Sequence, residues 1–379
     1  MLRGEPRTFS ISGGPFAHVL QALHLTGALR GVWLGLLLWL PFVLGELVRI
    51  TLGKAPDPTL FDLSVHARLL VAIPMILKAE TLIDSAAKSA IDSVYEGRFC
   101  DRTAIDVIVD RGEHLRDLWW PESLLLAAAA AFGQIALWTG ETGVFGGAVG
   151  AGRWELTRVW YVVVALPVAQ FVILRFVWLW GIWCYMLARL ARLPLAPLAT
   201  HPDQAGGLSC VARPVTGFGG FAFACSAILA GAWGTQIIAH RTTVAAQMPE
   251  LLVFLVLVAA AAIAPLLLFS SHLYRIRRRG LAQYGDFAMG YMRAFHETWI
   301  ESDRLPREAL GSPHIQSMND LGGAYRVVSG TKLFVFSARM LAAVWGSALL
   351  PMLPLLASTL TVEHVVRRIV GAILGGLPL

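Results

Sequence analysis

Apolar runs close to the ~20 residues that cross a bilayer recur along the whole chain. The first, at roughly 30–50, reads GVWLGLLLWLPFVLGELVRI. A second at 62–78 is shorter, with LLVAIPMIL bracketed by Arg68 and Lys78. A third at 118–138 opens on Trp119-Trp120-Pro121 and continues through LLLAAAAAFGQIALW. The fourth, 158–188, is too long for a perpendicular crossing and must tilt or project into water. The fifth, 212–237, is rich in Gly and Ala, and the sixth, 250–273, is the most hydrophobic. The seventh, 333–359, carries Pro351 and Pro354. The pattern predicts an all-α polytopic transmembrane bundle of about seven spans, with residues 1–379 as one integral membrane domain.

The polar stretches have periodicity of their own. Residues 79–117 extend the second span as a charged helix, KAETLIDSAAKSAIDSVYEG and onward. In a second extension, 275–332, Leu281, Tyr284, Ala288, Tyr291, Phe295 and Trp299 recur at helical intervals. That aromatic stripe is expected to pack on other extramembrane helices. From residue 362 to 379 apolar and charged positions separate onto two helical faces, which reads as an amphipathic helix lying in the interface. Seven spans put this tail outside; a re-entrant hairpin at the prolines of the seventh run returns it to the cytoplasm.

Charge sets the orientation. With the N-terminus inside, 21 lysines and arginines fall on the cytoplasmic side and 5 outside, the expected bias. Residues 79–117 and 275–332 are then cytoplasmic. Only 15% of residues are charged and mean hydropathy is +0.63, where a soluble domain carries roughly 25% charged residues. The net charge of +6 is accounted for by basic loops and calls for no nucleic acid. The first 30 residues lack a compact apolar core with a cleavage site, so the first span is expected to act as signal anchor. Four cysteines without paired spacing read as reduced thiols.

Three arginines, Arg68, Arg175 and Arg339, fall inside apolar runs. A guanidinium in hydrocarbon costs at least ~2.5–3.5 kcal/mol, so such residues usually face a bundle interior or a wet cavity. With Glu46 and Gln170 they are the candidates for lining a path. A short connection makes the first two helices antiparallel neighbours, which brings Glu46 and Arg68 to similar depth as a pair. Arg175 has two readings. It lines a cavity, with Glu80 or Glu122 as its natural partner, or it snorkels to the headgroups among an aromatic belt of Trp178, Trp180 and Trp183.

THPDQAGGL, residues 200–208, is the sharpest local motif. His201 and Asp203 are candidates, with Glu80 and Glu122, for shaping a cytoplasmic vestibule, while Asp203 is also suited to capping the next helix. The basic run Arg275, Arg277, Arg278 and Arg279 suits lipid headgroups, and membrane lipids are the expected partners. Ala222, Ser226, Ala230 and Gly234 recur every four residues and admit a close helix neighbour, within the protomer or in a homo-oligomer. HETWI at 296–300 places Ile300 where a zinc-binding helix needs its second histidine. No nucleotide motif, catalytic set, metal site or cofactor signature stands out.

Four strings, LSVHARLLVAIPMILKAE (63–80), THPDQAGGL (200–208), GSPHIQSMNDLGGAYRVV (311–328) and LLPMLPLLA (349–357), resemble a family of bacterial multipass inner-membrane proteins that has no assigned activity. The resemblance implies architecture and the bacterial cytoplasmic membrane. It implies no catalytic residue. The expected function is channel- or transporter-like passage of an ion or small polar solute. The alternatives are an enzyme acting on a lipid or envelope precursor through His201, Asp203 and the basic run, and an assembly partner in a membrane complex.

Overall fold

The computed structural model describes residues 9–139, 156–239, 241–301 and 313–355, with the backbone alone described at 133–139. The described residues are helical, with no strand. A short α1 (Gly14–Ala22) precedes α2 (Arg30–Thr51). In the connection that follows, Asp57 caps a 3-10 turn (Pro58–Phe61) and Asp62 caps α3 (Leu63–His66). A π turn (Ala67–Ala72) then joins α3 to α4 (Ile73–Gly97) without a break. Arg98, in left-handed conformation, ends this rod and the chain doubles back as α5 (Arg102–Asp117), capped by Asp101. α6 (Trp119–Thr139) follows.

The next described element, α7 (Leu156–Trp160), runs through a second π turn (Tyr161–Ala165) into α8 (Leu166–Leu190). A 3-10 turn (Leu208–Ala212) leads to α9 (Val215–Ile238), and Thr243 caps α10 (Val244–Leu267). α11 (Ser270–Trp299) and α12 (Pro313–Ser329) pack together as a hairpin. α13 (Ala338–Leu349), capped by Ser337, gives way to a 3-10 turn at Leu350–Met352 that contains Pro351.

Both π turns have one cause. Pro74 and Pro167 sit in the first turn of α4 and α8, so each lacks an amide hydrogen and presses on the carbonyl four residues earlier, Leu70 or Val163. Those carbonyls lie inside the π turns, whose wider winding relieves the clash.

Five continuous stretches of the described residues are long and apolar enough to cross a membrane: Arg30–Thr51, Leu156–Leu190, Leu208–Ile238, Val244–Leu267 and Ala338–Leu355. The chain is an all-helical membrane protein. α10 shows its lipid-facing side in the exposed Leu252, Val253, Val256 and Leu257. The second apolar run does not stand alone; it is the N-terminal part of the Leu63–Gly97 rod. The C-terminal amphipathic segment, 362–379, lies outside the described residues.

α9 is the packing centre, against α4 on one side and α13 on the other. Its small residues make this possible. A Cβ on Gly231 would lie 2.8 Å from the Leu63 carbonyl oxygen, and one on Gly217 would lie 3.0 Å from the Ile83 nitrogen. The Ser226 hydroxyl donates to the Ala348 carbonyl. Ala222 and Ser226 therefore serve contacts inside the protomer. The four cysteines are free thiols.

Candidate functional site

Two clusters of buried charge lie at opposite ends of the seam between α2, the α3–α4 rod and α7–α8. The cluster at the end that the charge bias predicts to be cytoplasmic, called inner on that expectation and its counterpart outer, centres on Arg175, which is 2% exposed. Its Nε donates to Glu122 and its Nη1 to Glu80, each at 2.8 Å, and its Nη2 donates to the Gly13 carbonyl at 2.7 Å. Phe16 covers the guanidinium, with its ring centre 5.1 Å away. Both carboxylates named from the sequence as partners are engaged together. Arg175 does not snorkel, and the aromatic belt is not one: Trp180 and Trp183 are buried, Trp180 donating to the Ala261 carbonyl.

The segment before α2 completes this cluster. The Ile11 and Ser12 amides and the Ser10 hydroxyl all donate to one Asp84 oxygen at 2.6–2.9 Å. The Ser12 hydroxyl donates to Glu80, and the Phe16 amide donates to Glu122 at 2.8 Å. Arg116 reaches the Ser10 carbonyl. Phe9, Ile11 and Leu20 are buried in the core. A cavity of about 240 Å³ adjoins the cluster, lined by Ser12, Gly13, His18, Gln21 and Arg30 among others. Arg30 faces Glu80 at 3.7 Å.

The outer cluster is built where α2, the following connection and α7 meet. Glu46, fully buried, accepts from the Thr157 hydroxyl at 2.5 Å and the Asp57 amide at 3.0 Å. Arg158 lies 3.3 Å from Asp57, and Arg49 lies 3.6–3.7 Å from Asp57 and Glu46. The expected Glu46–Arg68 pair is thus replaced: Thr157, Asp57 and Arg49 engage Glu46, and Arg68 donates to the Tyr161 hydroxyl. The reason is geometric. Arg68 and Tyr161 each lie in one of the two π turns and are buried there, where the altered winding shifts side-chain direction from that of a regular helix. His66 accepts from the Trp39 indole at 2.9 Å and donates from Nε2 to the Leu60 carbonyl at 2.7 Å, which makes it the neutral Nε2 tautomer.

Arg158 and Arg175 lie 17 residues apart on one helical path, about 25 Å at 1.5 Å per residue. That approaches the ~30 Å of hydrocarbon. Gln170, buried, lies between them on α8. Sequence reasoning missed Thr157, Arg158, Tyr161 and the whole 9–16 segment; only the charge of Arg158 beside an apolar run could have signalled any of them.

The other candidates fall elsewhere. Arg339 is exposed in the first turn of α13 and lines no interior path. Asp203 organises its own loop, accepting from the Ala205, Gly207 and Ser209 amides at 2.8, 3.0 and 3.2 Å, with His201 Nδ1 at 2.8 Å. Burial pushes its carboxyl up, but the amides of Ala205 and Gly207, then Ser209 and His201, outweigh this and hold it at about 2. The loop is tied to a distant segment, since the Lys332 amide donates to the Gln204 carbonyl; just before it, the Ala196 amide donates to the Phe99 carbonyl. His201 and Asp203 form a structural turn.

A second cavity, about 710 Å³, opens between residues 191–199 and the first half of α11. Arg192, Arg275 and Arg279 line it together with His272; Arg277 and Arg278 do not. Among the described residues, no group of three or more His, Cys, Asp or Glu side chains is placed to hold a metal ion. Against known protein families, curated proteins and solved structures alike, the chain finds no match.

Proposed function

We propose that this protein passes an ion or small polar solute across the membrane along the α2–α4–α8 seam, with the two buried clusters as its inner and outer gates. The carrying observation is the pair of charge clusters, about 25 Å apart by helical rise, closed at once on the same helices. Buried ion pairs stabilise little more than well-packed apolar residues of the same volume, so two such clusters call for a role beyond holding the fold. Ionisable groups inside membrane bundles mark pathways by default, and π turns gather at functional sites. The 240 Å³ cavity beside the inner cluster gives a solute a place on that side. The same reading takes about seven spans, a cytoplasmic N-terminus, the bacterial cytoplasmic membrane, a homo-oligomer, and membership of the family that the sequence resembles.

The test is flux in liposomes. Wild type, Glu122→Gln and Arg158→Gln are reconstituted and assayed with protons, monovalent cations and small anions over a range of pH. The expected result is wild-type flux of at least one solute, altered by roughly tenfold or more when either cluster is loosened, as one lost charge contact of ~1.4 kcal/mol implies. Silence from all three proteins, each eluting as a folded particle, would count decisively against a conduit.

A further inference from the structure

We infer that the groove between residues 191–199 and α11 is a binding site for a phosphate-bearing anion, and that its resident is the headgroup of an anionic lipid. Three observations carry this, and none depends on the conduit. The first is charge. Arg192, Arg275 and Arg279 line the groove, no carboxylate lines it, and none of the three makes a salt bridge among the described residues. The second is construction. Buried His272 donates from Nε2 to the Ala191 carbonyl at 2.7 Å and presents Nδ1 to Arg275 at 3.4 Å, fixing the loop to the helix and steering that guanidinium. Gln283 and Tyr284 add side-chain donors, while Leu193, Leu195 and Ile276 supply an apolar wall.

The third observation is depth. The exposed apolar side of α10 continues through Leu267 and Leu268 and stops there; the exposed Tyr274 follows. Tyrosine at such a boundary marks the membrane–water interface. His272 stands four residues past Leu268, about 6 Å along a helix, which is within the headgroup layer flanking the hydrocarbon. The groove thus opens where lipid phosphates lie, at the end of the bundle where basic residues concentrate. Arginine forks match phosphate oxygens in paired hydrogen bonds.

Arg277 and Arg278 belong to the same basic run but do not line the groove, so they provide an internal control. The full chain is placed in nanodiscs of phosphatidylglycerol or phosphatidylcholine, and lipid retained after mild detergent washing is counted by native mass spectrometry. Wild type is expected to keep phosphatidylglycerol in preference to phosphatidylcholine. Arg275→Gln with Arg279→Gln should weaken retention roughly tenfold or more, at about a factor of five per arginine near an anionic surface. Arg277→Gln with Arg278→Gln should change it little. Displacement of the lipid by millimolar inorganic phosphate would keep the chemistry and assign the groove to a soluble phosphate. Equal losses in the two double variants, or equal retention of both lipids, would overturn the site in favour of diffuse attraction. Because Arg275, Arg278 and Arg279 are exposed, Arg277 is only half-buried, and none of the four makes a salt bridge among the described residues, both double variants should melt close to wild type.

Discussion

At the scale of single residues, Arg175 shows how a buried charge is tolerated: every nitrogen has a partner, and two of the three partners are charged. Removing the guanidinium leaves Glu80 with Arg30 at 3.7 Å as its remaining cation and Glu122 with the Phe16 amide, both still buried. Arg175→Gln should therefore lower stability by about 3–5 kcal/mol, read as a fall in the thermal midpoint in detergent, and Glu80→Gln added to it should recover part of the loss. A second variant more stable than the first confirms a charge effect; equal stability points to packing instead. Asp203 predicts a pH effect of known sign. Its carboxyl titrates at about 2 in the folded protein, below the ordinary ~3.9 of an unfolded aspartate. Its stabilisation is complete above about pH 4 and is lost as pH falls toward 2. The midpoint difference between wild type and Asp203→Asn should be widest above pH 4 and close as pH approaches 2. Much of this chemistry was legible because charge in an apolar run is conspicuous. Glu80 and Glu122 were readable as partners of Arg175 from depth alone. Depth failed for Glu46 and Arg68, since side-chain aim depends on two π turns whose prolines were visible but whose winding was not.

At the scale of elements, apolar periodicity located the helices well, from α2 to α13, because a membrane span must satisfy its own backbone and leaves a long unbroken run. The stripe from Leu281 to Trp299 also met expectation: Tyr291 donates to the His314 carbonyl, and Trp299 lies 6.1 Å from the His314 ring. What had no signal was the docking of residues 9–22. That stretch is short, with Gly13, Gly14 and Pro15 at its centre, and its burial depends on polar partners distant in sequence. One carboxylate oxygen of Asp84 collects two amides and a hydroxyl there. Asp84→Ala should free the segment locally while the bundle stays folded, because Glu80 and Glu122 still hold Arg175. Hydrogen exchange at Ile11 and Ser12 is expected to rise by roughly tenfold or more, as loss of ~1–3 kcal/mol of hydrogen bonding implies, with α8 and α9 unchanged. Uniform loss of protection across the molecule would show instead that the segment is integral to the fold.

For the molecule as a whole, the question is whether two closed clusters on one seam are locks or gates. A lock has one position, so loosening it only destabilises. A gate has two, so loosening it changes which side of the membrane reaches the middle of the seam. Gln170 tests the difference, because it is buried on α8 between the clusters. In a background with the four native cysteines replaced, Gln170→Cys should resist a membrane-impermeant maleimide applied from either side, since both clusters are closed in the structure. Adding Arg158→Gln weakens the outer cluster at Asp57 and should admit the reagent from outside alone. Adding Glu122→Gln removes one carboxylate from Arg175 and should admit it from inside alone, by way of the cavity beside Ser12 and Arg30. Labelling with that sidedness requires water to reach mid-membrane through each cluster separately, which a packed structural core does not permit. A thiol that stays unreactive in both variants, each folded by its thermal midpoint, makes the clusters locks, and the seam is then the architectural spine of the bundle.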